Sequence, residues 1–253
     1  MAPGPTRRLA LFAYGVLCHA ASILSLVVLF GWLGGFGFVP VLLDEGGSLS
    51  LPAALAWNTL VMVAFTVFHS VFARSAVKKS TRRFHERNLE RATYNLLSAI
   101  FAILLVLAWA PIPARVWEIQ GTTAALAIQV THAVLWILHM TSIVLMNYND
   151  FFGLRQVGLA MRGEAYRPLP PVSEGYYLWT RLMLVITLAL IPWASPVMSA
   201  GRLQLAVFMT AYVVLGAWLS NRDRGDLATV PVTAAAGPSS HVRPSGTASP
   251  AAG

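Results

Sequence analysis

His69, His132 and His139 stand inside long stretches without a formal charge. An imidazole can accept a proton, ligate a metal or hold a hydrogen bond, and a polar ring in an apolar segment marks a candidate site. His132 and His139 are seven residues apart, which on a helix sets them near one face and about 10 Å apart along the axis. That spacing is too long for two ligands of one small metal ion, whereas a haem iron could take one of them with His69 from another helix. Interhelical hydrogen bonding is the competing use. No His-Glu-x-x-His stretch, cysteine pair or glycine-rich phosphate loop occurs, so metalloprotease, zinc-site and nucleotide-loop chemistry have no support.

Two charged segments lie beside these stretches. Residues 74–91, "RSAVKKSTRRFHERNLER", form the densest basic cluster, suited to lipid headgroups and compatible with lining a cofactor entrance. Residues 147–171, "NYNDFFGLRQVGLAMRGEAYRPLPP", set Asp150, Arg155, Glu164 and Arg167 among aromatics and prolines, more particular wording than an interfacial anchor needs. Arg181 heads twenty residues with no charge.

The elements that must position these groups follow from the charge pattern. Hydrophobic residues make up 57% of the 253, charged residues only 11%, and the mean hydropathy is +0.64, which predicts an integral membrane protein. The formal charge of +8 does not indicate nucleic acid, because the basic residues lie between apolar runs rather than on one soluble face. Membrane lipids are the expected partner. Cys18, the sole cysteine, cannot form an internal disulfide. Asp, Glu, Lys and Arg are absent from 9–43, 46–73, 92–114, 119–149, 182–201 and 203–221. About 20 apolar residues cross a bilayer core, so six spans are expected, at about 10–33, 51–73, 92–114, 122–147, 182–200 and 203–220. Only Arg202 separates the last two, and Pro192 and Pro196 interrupt the fifth. Sixteen of eighteen Lys and Arg fall at the termini and in the 74–91 and 150–180 segments, leaving Arg115 and Arg202 on the other side. The imbalance predicts a multi-pass protein of the cell membrane with both termini cytoplasmic. A membrane domain over 1–227 and a disordered tail over 228–253, rich in Ala, Pro, Ser and Gly, complete the organisation.

The blocks "FHSVFAR" (68–74), "ERATYNLLSA" (90–99), "WAPIPARVWE" (109–118), "FGLRQV" (152–157) and "WASPVMSAGRLQLA" (193–206) closely resemble the bacterial methanethiol S-methyltransferase family. That family is a branch of the isoprenylcysteine-carboxyl-methyltransferase-like, NnrU-related membrane proteins. The resemblance implies an all-α polytopic bundle that methylates a small thiol, methanethiol to dimethyl sulfide, with S-adenosylmethionine. It places His69, Arg74, Arg91, Tyr94 and Arg155 as candidates for the reaction pocket, and Arg181, Arg222 and Asp223 for the donor. The family's Arg-His-Pro reads Arg181, Leu182, Met183 here, and its paired glutamates read Ser220 and Asn221. Those departures predict weakened donor binding. A non-catalytic family member that binds a ligand or partner, and a haem-binding NnrU-type protein, are the alternatives.

Overall fold

The computed structural model describes residues 3–73, 87–119, 121–167, 169 and 174–228. Long helices α1 (Pro5–Gly34), α2 (Leu51–Ala73), α3 (Glu90–Leu107) and α4 (Thr122–Leu145) come first. A single turn, α5 (Tyr148–Phe151), and the short α6 (Leu154–Arg162) lead to α7 (Glu174–Leu190) and α8 (Ala200–Ala228). Two short strands, β1 (Arg115–Glu118) and β2 (Val197–Ser199), pair antiparallel. Among the described residues, five helices are long and apolar enough to cross a membrane by length and composition, and α7 supplies a shorter apolar stretch, Leu178–Trp193. The protein is an all-α, multi-pass membrane bundle. One compact unit runs to Val214; a second begins at Leu215, and its described part is the continuation of α8. The tail expected over 228–253 lies, from residue 229, outside the described residues.

Hydrogen bonds within the first unit sort the helix ends into two groups. At one, Tyr14 meets Thr93 at 2.7 Å, Ser70 meets Tyr212 at 3.0 Å, and Tyr176 donates to the Leu145 carbonyl at 2.9 Å. This is the basic end. At the other, Trp57 Nε1 donates to the Ala108 carbonyl at 2.6 Å and Arg202 Nη1 to the Leu33 carbonyl at 2.6 Å. Successive long helices therefore alternate in direction, α7 included, along the six-segment path read from the charge-free runs.

α1 and α8 run beyond the expected 10–33 and 203–220, and two other helices end early at prolines. The third span, expected over 92–114, stops at Leu107. Pro111 and Pro113 have no N–H to continue a helix, and Asn58 instead clamps the outgoing strand of chain. Its Nδ2 donates to the Ala110 carbonyl at 2.8 Å, and its Oδ1 accepts from Ala110 N at 2.9 Å. The fifth, expected over 182–200, begins at Glu174 and ends at Leu190, with Ile191–Trp193 in a 3-10 turn and Val197–Ser199 in β2.

Lipid tails are as apolar as leucine, so helix association rests on close packing and polar contacts rather than on water release. The buried faces of α1 and α3 are accordingly built from small side chains. Gly15, Cys18, Ser22 and Ser25 lie along one, and Ala92, Asn95, Ala99 and Ala102 along the other, with matching spacing. α1 packs more extensively on α3 than on any other helix. At the end away from the basic one, Arg202 is 1% exposed and paired with Asp44, Nη2 to Oδ2 at 2.5 Å. Ser199 Oγ donates to the same carboxylate at 2.6 Å, so β2, the start of α8 and the α1–α2 connection are locked together.

Candidate active site

His69, on the last turn of α2, is half-buried, and its Nε2 lies 2.9 Å from the Tyr94 hydroxyl on α3. Phe65 stacks on the imidazole with ring centroids 5.7 Å apart. His69, but not Tyr94, is in the wall of a largely apolar cavity of about 150 Å³. α1, α2, α3, α4, α7 and α8 all contribute to its wall: Leu29 and Trp32, Phe65 and His69, Ala102 and Leu105, Trp136, Leu188, and Met209 and Tyr212. His69 and Tyr212 are the titratable groups among the lining residues.

Two arginines converge on the turn after α4. Arg91 Nε donates to the Phe151 carbonyl at 2.8 Å, joined there by Asn95 Nδ2 at 2.9 Å. The Arg91 guanidinium also lies over the Phe151 ring at 5.1 Å and the Tyr94 ring at 5.7 Å. One residue earlier, Asp150 accepts from Arg155 Nε at 2.6 Å and from Gln156 Nε2 at 2.9 Å. Arg155 reaches onward to the Arg167 carbonyl at 2.9 Å. Local chemistry makes this turn possible. Asn147 takes a left-handed conformation, φ 72°, and its side chain caps Asp150 N at 3.2 Å. Gly153, φ 82°, comes so close to α3 that a Cβ would sit 2.7 Å from Ala92 N. Beside this turn lies a polar cleft of about 490 Å³, bordered by Arg7, Arg87, Asn88, Glu164 and Tyr166. Asn88 donates to the Glu164 carbonyl at 2.9 Å, yet its own Oδ1 is buried with no hydrogen-bond partner.

Comparison with known proteins adds the decisive observation. Methanethiol S-methyltransferase 2 of Bradyrhizobium diazoefficiens is 35% identical over 216 residues, spanning 85% of this chain and 83% of that protein. The methanethiol S-methyltransferase of Mycobacterium tuberculosis is 32% identical across 82% of this chain and 86% of its own.

The chain belongs to the methanethiol S-methyltransferase family.

Nurim of Rattus norvegicus is a further relative, 29% identical over 69% of each chain. No protein-family profile and no solved structure matches the chain. Of the residues that the family resemblance singled out, the structure brings His69, Tyr94 and Arg91 together and sets Arg155 on the adjoining turn. Arg181 is half-buried on α7, beside the fully buried Thr180. Arg74 and the side chains of Arg222 and Asp223 lie outside the described residues. His132 and His139 are on α4. His139 Nδ1 is 3.0 Å from Thr187 Oγ1 on α7, an interhelical hydrogen bond, and His132 sits among Phe30, Phe36 and Trp136. Sequence reasoning missed Asn88, Asn95, Gln156 and Tyr212. Their signal was a polar side chain in or beside a membrane run, the same signal that exposed the histidines.

Proposed function

We propose that the protein is a membrane methyltransferase that moves a methyl group from S-adenosylmethionine to a small apolar thiol, turning methanethiol into dimethyl sulfide. The central cavity carries this reading: it is apolar, about 150 Å³, and has in its wall His69, whose Nε2 meets the Tyr94 hydroxyl behind it at 2.9 Å. A thiol of a few heavy atoms fits such a space. Its sulfur becomes a good nucleophile only as the thiolate, so the site must take one proton and tolerate one negative charge. His69 is the proton acceptor, with the Tyr94 hydroxyl relaying the proton onward. The Arg91 guanidinium, 5.7 Å from the Tyr94 ring, favours the thiolate over the thiol. Apolar walls exclude water and strengthen that field.

The donor supplies an electrophilic methyl on a positively charged sulfur. The residues at the basic end fit it. The unpartnered Asn88 Oδ1 suits its amino group, the Glu164 carboxylate, which already accepts from Arg162 Nε at 2.6 Å, has a second oxygen for a cationic group, and arginines suit its carboxylate. Arg181, Arg222 and Asp223 would hold it on the family pattern, and Arg74 and Arg155 would shape the pocket's mouth. The basic end faces the cytoplasm and both termini lie there, in keeping with sixteen of eighteen Lys and Arg.

Purified protein supplied with methanethiol and S-adenosylmethionine should release dimethyl sulfide into the headspace, and His69→Ala should abolish most of it. Donor binding by calorimetry without any product from the wild type would make the chain a non-catalytic binder instead.

A further inference from the structure

The central cavity has an apolar neighbour. Between α1 and α4 lies an open groove of about 580 Å³, walled by Ile23, Val27 and Phe30 on one helix and Ile137 and Met140 on the other. These residues recur every three or four positions, one face of each helix. α1 packs chiefly on α3 and α4 chiefly on α7, and among the described residues no further helix covers the two faces. Ile137 is 63% exposed.

Trp136 borders both spaces, and among the described residues no other does. From this geometry we infer that Trp136 is the partition through which the acceptor thiol enters from the bilayer, and the side chain that limits how long its alkyl group can be. The inference rests on the cavity being the thiol site.

Three observations carry it. The walls of groove and cavity are apolar around the partition, so an uncharged thiol crosses without shedding polar contacts, whereas a cationic donor could not; the donor has the basic end. The Trp136 indole N–H is buried without a hydrogen-bond partner, so no hydrogen bond need break when the ring swings. Instead the ring rests edge-on against Phe30 and His139, at 5.8 Å in each case. Such contacts can be remade in a second rotamer. Finally, the cavity is too small for a long alkyl chain while the groove is not, so a longer thiol can be housed only if the indole is out of the way.

The test uses full-length protein in lipid nanodiscs, with n-alkanethiols from methanethiol to hexanethiol, and with dimethyl sulfide and methyl hexyl sulfide as unreactive probes in thermal-shift titrations. Each methylene accommodated in an apolar pocket changes preference by about tenfold or more, so Trp136→Ala should raise the hexanethiol-to-methanethiol rate ratio by at least about tenfold. It should also gain stabilisation by methyl hexyl sulfide that the wild type lacks. Ile137→Trp, which fills the groove without touching the cavity, should raise KM for methanethiol several-fold while kcat and donor affinity stay unchanged. If the chain methylates no thiol, the sulfide titrations still decide: a gain in Trp136→Ala keeps the partition and removes the activity reading. Unchanged chain-length preference and unchanged sulfide binding in Trp136→Ala would overturn the proposal. So would an Ile137→Trp protein that loses co-purified lipid with no change in KM, because the groove would then be an acyl-chain seat.

Discussion

The histidine–tyrosine pair is the smallest unit that the proposed chemistry requires. Tyr94→Phe keeps the ring that Arg91 covers and removes only the hydroxyl 2.9 Å from His69. Positioned acid–base groups contribute about 10²–10⁴ in rate, so kcat should fall by about tenfold to a hundredfold with KM for the donor unchanged. A fall in donor affinity alone would assign the hydroxyl to binding instead. Donor binding has its own residue-scale test, at positions where the family resemblance expects paired glutamates. Ser220→Glu with Asn221→Glu should tighten S-adenosylmethionine by calorimetry, each restored charge-assisted contact contributing about 1.5–3 kcal/mol if it forms. No tightening would mean that the cation is held elsewhere, with Glu164 the next candidate. His69, Tyr94 and Arg91 were legible because they stand in distinctive sequence blocks. Asn95 and Gln156, which hold the Phe151 carbonyl and Asp150, were not: an amide beside an apolar run is silent about its partner until the neighbouring helix is placed.

At the scale of elements, two joints determine whether the arginines and the cavity keep their places. The first is Gly153, where α6 begins against α3. Left-handed backbone costs a non-glycine residue about 1–2 kcal/mol, and an added Cβ would also meet Ala92 N at 2.7 Å. Gly153→Ala should therefore lower the midpoint of thermal unfolding and reduce turnover, because Asp150 and Phe151 shift with the turn. Full activity at unchanged stability would show that the turn adapts freely. The second is the Asp44–Arg202 pair. Breaking a buried pair from one side leaves the other charge uncompensated, at about 3–5 kcal/mol, so Asp44→Ala should be strongly destabilising while Glu45→Ala, exposed beside it, should be near neutral. Equal thermal midpoints for the two variants would remove the pair's structural role. Charge-free runs overlap α1 to α4, α7 and α8, but do not mark where α3 and α7 end. The prolines at 111, 113 and 192 announced interruptions, and the pairing of β1 with β2 that follows them depends on residues about 80 apart in the chain, beyond the reach of local pattern.

For the whole molecule, the decisive property is which end faces which compartment. Six alternating helices put Arg7, Arg87, Arg91, Arg155 and Arg167 at one end of the first unit and Asp44, Glu45, Arg115 and Arg202 at the other. Each cation near an anionic leaflet contributes about 1 kcal/mol, so sixteen against two is a strong orienting bias even after partial screening. The proposed chemistry makes the same demand independently. A charged donor made in the cytoplasm must reach His69 without crossing the apolar middle of the bundle, and the basic end is the side on which His69 lies. Reporter fusions at residue 45 and at the C-terminus should therefore report opposite compartments, with the C-terminus cytoplasmic. Both reporters on one side would break the alternation of helices. The inverted result, residue 45 cytoplasmic and the C-terminus outside, would keep the bundle and its cavity but separate the donor from the histidine, and the methyltransferase reading would fall with it.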